Sequence, residues 1–154
     1  MIATRAARPP FINCPVPVND GPSHWVAKAA IAALDSWVRD GIVAPEAPRL
    51  QVNAAHDGFD VDERGNALGG IRTPYVDAPV ATLSGLGQAS STCILFGTTV
   101  LFDETTLLSL YPARDDYIEA IDSAADAAVG ERFLLEADAR LIKSRARTTD
   151  SLPF

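Results

Sequence analysis

Apolar residues recur at helical spacing in the segment that follows residue 21. The apolar positions on one face are Val26, Ala29, Ala30, Ala33 and Trp37. A period of 3.6 residues is the signature of an amphipathic α-helix. Pro22 suits the first turn of a helix, and Gly41 suits the position just after the last turn. The pattern therefore predicts one long helix between Pro22 and Gly41.

Beyond Gly41 the pattern changes to the alternation that is typical of strands. Apolar and polar residues alternate at positions 50–52, which predicts a short β-strand. Further on, Phe59 and Val61 fall on one face of a second strand-like segment. Residues 64–66 (Arg-Gly-Asn) favour a turn, and residues 68–71 return antiparallel to that segment. This second segment predicts a β-hairpin.

The C-terminal half combines a covering segment, an apolar run and helical periods. Prolines 74 and 79 indicate that "TPYVDAPVATLSGLG" is an extended edge or covering segment and not a central strand, so we expect it to wrap the core without pairing. The run "CILFGTTVLF" is typical of a β-strand. Asp103 followed by Leu107 predicts a capped short helix that ends near Tyr111. Two more helices are predicted, one with an apolar stripe from residue 117 to 128 and one over residues 134–142.

Length and charge limit the number of domains and the kinds of partner that the chain can have. The chain has 154 residues, which fits a proline-rich extended lead-in at residues 1–20 and a single domain at residues 21–154. The 13 basic and 20 acidic side chains give a net charge of −7, which disfavours nucleic acid and anionic membranes as partners. No signal peptide or apolar run of membrane-spanning length is evident, so a cytoplasmic location is the default expectation.

Most motifs that carry chemistry are absent or incomplete. Cys14 and Cys93 match no metal or redox spacing, and we expect free thiols or buried apolar residues. "DVDERGN" resembles a calcium loop, but Arg64 and Ile71 stand where oxygen ligands are needed. "GGIRTP" lacks the lysine of a phosphate-binding loop, and "LSGLG" lacks the leading glycine of a nucleophile elbow. We therefore expect no cofactor and no metal.

His24 is the residue that best fits a catalytic role. It lies in the first turn of the predicted long helix, where the positive end of the helix dipole favours the neutral imidazole that a general base requires. The competing interpretation is a polar residue on the solvated side of a helix end. His56, in the polar turn "AAHDG", is the rival histidine.

Three sequence blocks resemble a family of bacterial proteins, the "alpha/beta hydrolase domain" family. The blocks are "NDGPSHWVAKAAIAALDSWVRDG", "GNALGGIRTPYVDAPVATLSG" and "LFGTTVLFDETTLLSLYP", in the family's order. What the chain resembles is the C-terminal portion of much longer proteins. The resemblance implies an α/β fold, α+β when this portion is taken alone, with a long helix after the loop of the catalytic histidine, then a hairpin, a wrapping segment and C-terminal helices.

The resemblance also implies a function. It makes His24 the histidine of a serine carboxylic ester hydrolase. Arg72 and Tyr75, in the wrapping segment, have two open interpretations: residues that border a substrate pocket, or residues with a surface role. The serine nucleophile and most of the sheet would lie in the N-terminal portion, so we expect a chain that is inactive alone. The expected partners are an N-terminal hydrolase half or a second copy of the chain, with a small ester as substrate once the site is complemented.

Two other functional hypotheses remain open from the sequence. One is a non-catalytic α+β module that binds a partner or ligand through the "GGIRTP" segment. The other is a stand-alone enzyme that uses a cysteine nucleophile.

Overall fold

A computed structural model describes residues 14–88, 91–150 and 152–153. The described helices are α1 (Ser23–Asp40), α2 (Pro74–Asp77), α3 (Glu104–Leu110), α4 (Arg114–Gly130) and α5 (Glu136–Thr148). The strands β1 (Ala81–Ser84) and β2 (Thr98–Leu101) form one antiparallel sheet, and a 3-10 helix spans Ser91–Leu95. The described residues therefore combine helices with a small two-stranded antiparallel sheet, which agrees with the predicted α+β arrangement.

The long first helix is confirmed. It begins at Ser23, directly after Pro22, and ends at Asp40. Gly41 adopts a left-handed conformation with φ of 72°, and its N–H donates to the carbonyl oxygen of Trp37 at 3.0 Å. Glycine reaches this conformation without the steric cost of a Cβ atom, so the helix ends where the sequence indicates.

The predicted strand at residues 50–52 is reduced to a single bridge between Val52 and Phe59. The hairpin likewise keeps its turn but has one bridge, Val61 to Ala67. Glycines interrupt the pairing: a Cβ atom on Gly69 would lie 2.2 Å from the carbonyl oxygen of Arg49. Gly69 and Gly70 also have positive φ values of 75° and 68°, outside the range of a β-strand, so the returning arm does not continue as a ladder.

The wrapping segment is more regular than predicted. Its first part forms α2, and its last part is β1, which pairs with β2 in a register that sets Ala81 opposite Leu101. The prediction that this segment does not pair was wrong because Pro79 precedes the strand and leaves its hydrogen-bonding groups intact. The apolar run that follows is also divided, with the 3-10 helix before Gly97 and β2 after it.

Polar groups flank the sheet on both sides. The Asn66 side chain donates from Nδ2 to the Ala81 carbonyl oxygen at 3.3 Å and accepts at Oδ1 from the Leu83 N–H at 2.8 Å. Asn66 is buried. On the other side, the Thr99 N–H donates to the carbonyl oxygen of Pro17 at 3.0 Å. The turn of the hairpin and the chain segment before α1 are thereby fixed to the sheet.

Replacing Asn66 with alanine tests this link. We expect Asn66→Ala to lower the free energy of unfolding by about 2 kcal/mol, because two backbone groups lose their partners in a buried place. Urea denaturation measures the change. Asn53→Ala is the control, since Asn53 bonds to Asp57 at the surface, and its effect should stay below about 1 kcal/mol. Equal effects from the two variants would contradict the structural role of Asn66.

The C-terminal helices form most of the core. The N-cap of α3 is confirmed, since Asp103 accepts from the Thr106 N–H at 2.8 Å, and α5 continues past residue 142 to Thr148. Helices α4 and α5 pack on one another, and α2 packs on α4. The most deeply buried core side chains include Tyr117, Ile121 and Ile142. None of the helices in the described ranges is long and apolar enough to cross a membrane.

The two cysteines are joined in a disulfide. The expectation of free or merely buried thiols was wrong. Residues 79 positions apart along the chain come together because Cys93 lies in the 3-10 helix and Cys14 in the segment that pairs beside β2. The segment at residues 14–20 is therefore covalently attached to the domain, while the rest of the predicted lead-in, residues 1–13, lies outside the described residues.

Candidate functional site

His24 lies in the first turn of α1 with its side chain exposed. Its ring lies against the ring of Trp25, with centroids 4.2 Å apart. Partial desolvation lowers the pKa of His24 below 6.5, and the positive charge of Lys28 contributes in the same direction. At neutral pH the imidazole is therefore unprotonated, which is the form that accepts a proton.

Charged side chains collect around Trp25, and we call His24, Trp25, Lys28, Asp138 and Arg145 the Trp25 cluster. The Lys28 Nζ atom lies 4.4 Å from the centre of the Trp25 ring, and the Arg145 guanidinium carbon lies 5.7 Å from it. Cations favour the face of an indole ring. The cluster thus gathers three basic side chains, His24, Lys28 and Arg145, around the Trp25 ring where α1 and α5 meet.

Asp138 was not singled out from the sequence. Its Oδ1 accepts from Lys28 Nζ at 2.8 Å, while no hydrogen-bond partner for Oδ2 occurs among the described residues. The carboxylate is buried, and its negative charge opposes the lowering of the His24 pKa. No local signal marks this residue, because its partner lies 110 positions away in the chain.

Arg72 makes contacts within the fold. Its guanidinium donates from Nε to Asp77 Oδ1 at 2.5 Å and lies 3.6 Å from Asp62 Oδ2. A further hydrogen bond reaches the carbonyl oxygen of Ala67. Arg72 therefore connects the hairpin to α2, and its role toward a substrate stays a prediction.

Tyr75 is buried in α2. Its hydroxyl accepts from the Trp25 indole N–H at 3.4 Å, which connects it to the Trp25 cluster. Burial raises the pKa of the phenol above 10, so the hydroxyl remains protonated. The cavity beside it has about 10 Å³, room for about one water molecule. Substrate contact by Tyr75 also stays a prediction.

The two histidines lie in different surroundings. His56 occupies an exposed turn with φ of 56°, and its N–H donates to the carbonyl oxygen of Asn53 at 3.0 Å. In the described part of the chain, no hydrogen bond joins either imidazole to a hydroxyl or carboxylate, and no group of three His, Cys, Asp or Glu side chains is close enough to hold a metal. The Trp25 cluster supplies a proton acceptor and a charged rim, without a nucleophile.

A shallow apolar groove of about 140 Å³ runs along α1 between residues 26 and 33. It lies between α1 and the loop around Phe133, and Ile71 of the "GGIRTP" segment contributes to its wall. Arg132 borders the groove, and its guanidinium donates to the Val43 carbonyl oxygen at 2.8 Å. The groove offers apolar contacts near one cationic side chain.

The protonation of His24 gives a direct test of its surroundings. NMR titration should give a pKa below 6.5, and Lys28→Met should raise it because a nearby positive charge disappears. Arg140→Met, on the far surface of α5, is the control and should leave the His24 pKa unchanged. An unaltered His24 pKa in Lys28→Met would show that Lys28 does not act on this imidazole.

The sequence pattern of the family described as alpha/beta hydrolase domain matches residues 2–144. No curated protein matches the chain, and no solved structure matches it. The matched range contains every residue of the Trp25 cluster except Arg145, which lies one position beyond its end. Since the match covers most of the 154 residues, this chain belongs to the alpha/beta hydrolase domain family.

Proposed function

We propose that the chain acts as the C-terminal part of a serine carboxylic ester hydrolase and supplies the histidine, His24. The observation that carries the proposal is the family membership over residues 2–144. Members of this fold hydrolyse substrates with a serine on a strand-to-helix turn, followed in chain order by an acid and a histidine. A histidine is therefore the element of the site that a C-terminal portion is expected to bring.

The properties of His24 support this assignment. Its ring is exposed at the start of a rigid helix, and its pKa lies below 6.5, so at neutral pH the ring nitrogen is free to accept the serine proton. It would return that proton to the leaving alcohol in the next step. Because protonation abolishes the base, hydrolysis should decline as the pH falls through the His24 pKa and should be constant above it.

The remaining parts of the catalytic site must come from elsewhere. The described residues contain one antiparallel pair of strands, whereas the nucleophile of this fold stands on a large sheet. Asp138 acts electrostatically on His24, but its Oδ1 is engaged by Lys28. The nucleophile serine and the orienting carboxylate are therefore assigned to an N-terminal hydrolase half, and the substrate is a small ester that binds to the complemented site.

Hydrolysis of p-nitrophenyl butyrate tests the proposal. The probe for the missing half is the serine-bearing portion of a longer family member, produced as a separate polypeptide. The chain alone should neither turn over the ester nor react with a fluorophosphonate, whereas the mixture should do both. His24→Ala should reduce turnover by the mixture at least about 100-fold.

His56→Ala is the matched control, because it removes the other histidine and should leave turnover unchanged. Turnover by the chain alone would contradict the missing nucleophile. Turnover by the mixture that survives His24→Ala would assign the base to another residue.

A further inference from the structure

The apolar groove beside α1 has a single charged residue among the described residues that line it, Arg132. The other lining residues are alanine, valine, proline, isoleucine and phenylalanine, and the volume is about 140 Å³. Pockets that bind small molecules are mostly apolar, with a few polar groups that fix the orientation of the ligand. The groove therefore has the composition of a site for a small amphiphilic molecule.

Arg132 has an unusual backbone conformation. It lies just after α4 with a φ of 64°, a left-handed conformation in which glycine is usual because it has no Cβ atom. The Arg132 N–H donates to the carbonyl oxygen of Val129 at 2.9 Å, which closes the turn at the end of the helix. Strained residues of this kind cluster at active sites and ligand clamps. An arginine at this position therefore points to a use for its guanidinium.

The guanidinium of Arg132 retains most of its hydrogen-bonding capacity. Of its five N–H groups, one donates to the Val43 carbonyl oxygen at 2.8 Å. Across the described ranges this is the one hydrogen bond of the Arg132 side chain, and no carboxylate pairs with it. The planar fork of an arginine matches the two oxygens of a carboxylate. A carboxylate is therefore the ligand group that best fits this residue.

A second cavity, of about 230 Å³, also borders Arg132, and its walls show where the ligand's apolar part lies. Glu136 and Ser36 line that cavity, so it combines an acidic and a polar side chain. The described lining of the 140 Å³ groove contains neither. An apolar cavity of about 150 Å³ holds a benzene molecule. Charge and size together therefore favour a chain or ring of about six carbons in the smaller, apolar groove.

We propose that the groove beside α1 binds a small monocarboxylate with an apolar chain or ring of about six carbons. The carboxylate pairs with Arg132, and the apolar part lies between α1 and Phe133, against Ile71 of the "GGIRTP" segment. That segment thereby gains a role in ligand binding. The groove shares no residue with the Trp25 cluster, and the inference does not rest on the proposed function.

Hexanoate is the probe, titrated into the full-length chain and followed by NMR. The methyl signals of Ile71 and the ring signals of Phe133 should shift saturably, with a Kd of about 1 mM. Hexanamide has the same chain without the charge, and acetate has the charge without the chain, so each should bind at least tenfold more weakly. Intermolecular NOEs should connect the hexanoate methyl group to Ile71 and Val26. Absence of saturable binding, or NOEs only to residues outside the groove, would overturn the proposal.

Arg132→Gly tests the role of the guanidinium in a variant that is expected to fold. Glycine adopts the left-handed conformation without strain, so the variant keeps the turn and loses only the side chain. Its affinity for hexanoate should fall at least tenfold. Arg140→Gln is the matched control, because Arg140 is an exposed arginine on α5 that pairs with Glu136, and it should bind as the wild type does. Equal affinities of Arg132→Gly and the wild type would contradict the carboxylate site.

Ala30→Leu tests the apolar part of the groove. The larger side chain occupies the space beside α1, so the affinity for hexanoate should fall at least tenfold. Ala27→Leu is the control, because Ala27 is exposed on the same helix and does not line the groove. Equal affinities of the two leucine variants would place hexanoate elsewhere. Shifts of the Ile71 signals with protein concentration, in the absence of hexanoate, would identify a second copy of the chain as the occupant and overturn the proposal.

Discussion

Reduction of the Cys14–Cys93 disulfide should lower the free energy of unfolding by about 4 kcal/mol. The bond closes a loop of 79 residues, and the entropy of so long a loop in the unfolded chain gives a stabilisation of about this size. Urea denaturation with and without a thiol reductant measures the difference. The effect also depends on the compartment, because disulfides persist mainly in oxidising surroundings.

The double variant Cys14→Ala/Cys93→Ala separates the bond from the reagent. It should unfold at the same urea concentration with and without reductant, close to the midpoint of the reduced wild-type chain. Identical midpoints for the oxidised and reduced wild type would mean that the disulfide contributes nothing to stability.

Ile142→Ala should lower the free energy of unfolding by about 3–4 kcal/mol. Ile142 is 0% exposed and belongs to the core that α4 and α5 share. Removing three of its carbon atoms loses the burial of apolar surface and leaves a cavity that close-packed neighbours fill only in part. Thermal unfolding should show a decrease in Tm of roughly 10 °C for a domain of this size.

The neighbouring residue provides the control for this substitution. Leu141 lies one position earlier on α5 and is 41% exposed, so Leu141→Ala should cost under about 1 kcal/mol. Similar effects at positions 141 and 142 would show that α5 does not bury the face that the structure assigns to it.

Local patterns were sufficient to predict the helices. Pro22 and Gly41 delimit α1, and Asp103 marks the start of α3, because each of these signals acts within one or two turns of the chain. The strands were harder to predict. The pairing of β1 with β2 depends on contacts between distant segments, and the prolines near β1 obscured a strand whose backbone groups are all free to pair.

The candidate site was predicted in part. The position of His24 at a helix start follows from the sequence, but the ion pair of Lys28 with Asp138 joins residues 110 positions apart. The disulfide could not be predicted either, because its two cysteines lie 79 positions apart. The sequence allows Arg72 to border a pocket or to lie at the surface, but its carboxylate partners depend on how the hairpin turns toward α2.

The side chain of Asn66 takes the place of a third strand. Its amide offers β1 one donor and one acceptor, spaced as a neighbouring backbone would offer them, and the segment at residues 17–19 does the same for β2. Backbone groups on both edges of the small sheet therefore already have hydrogen-bond partners, which protects the sheet from edge-to-edge aggregation.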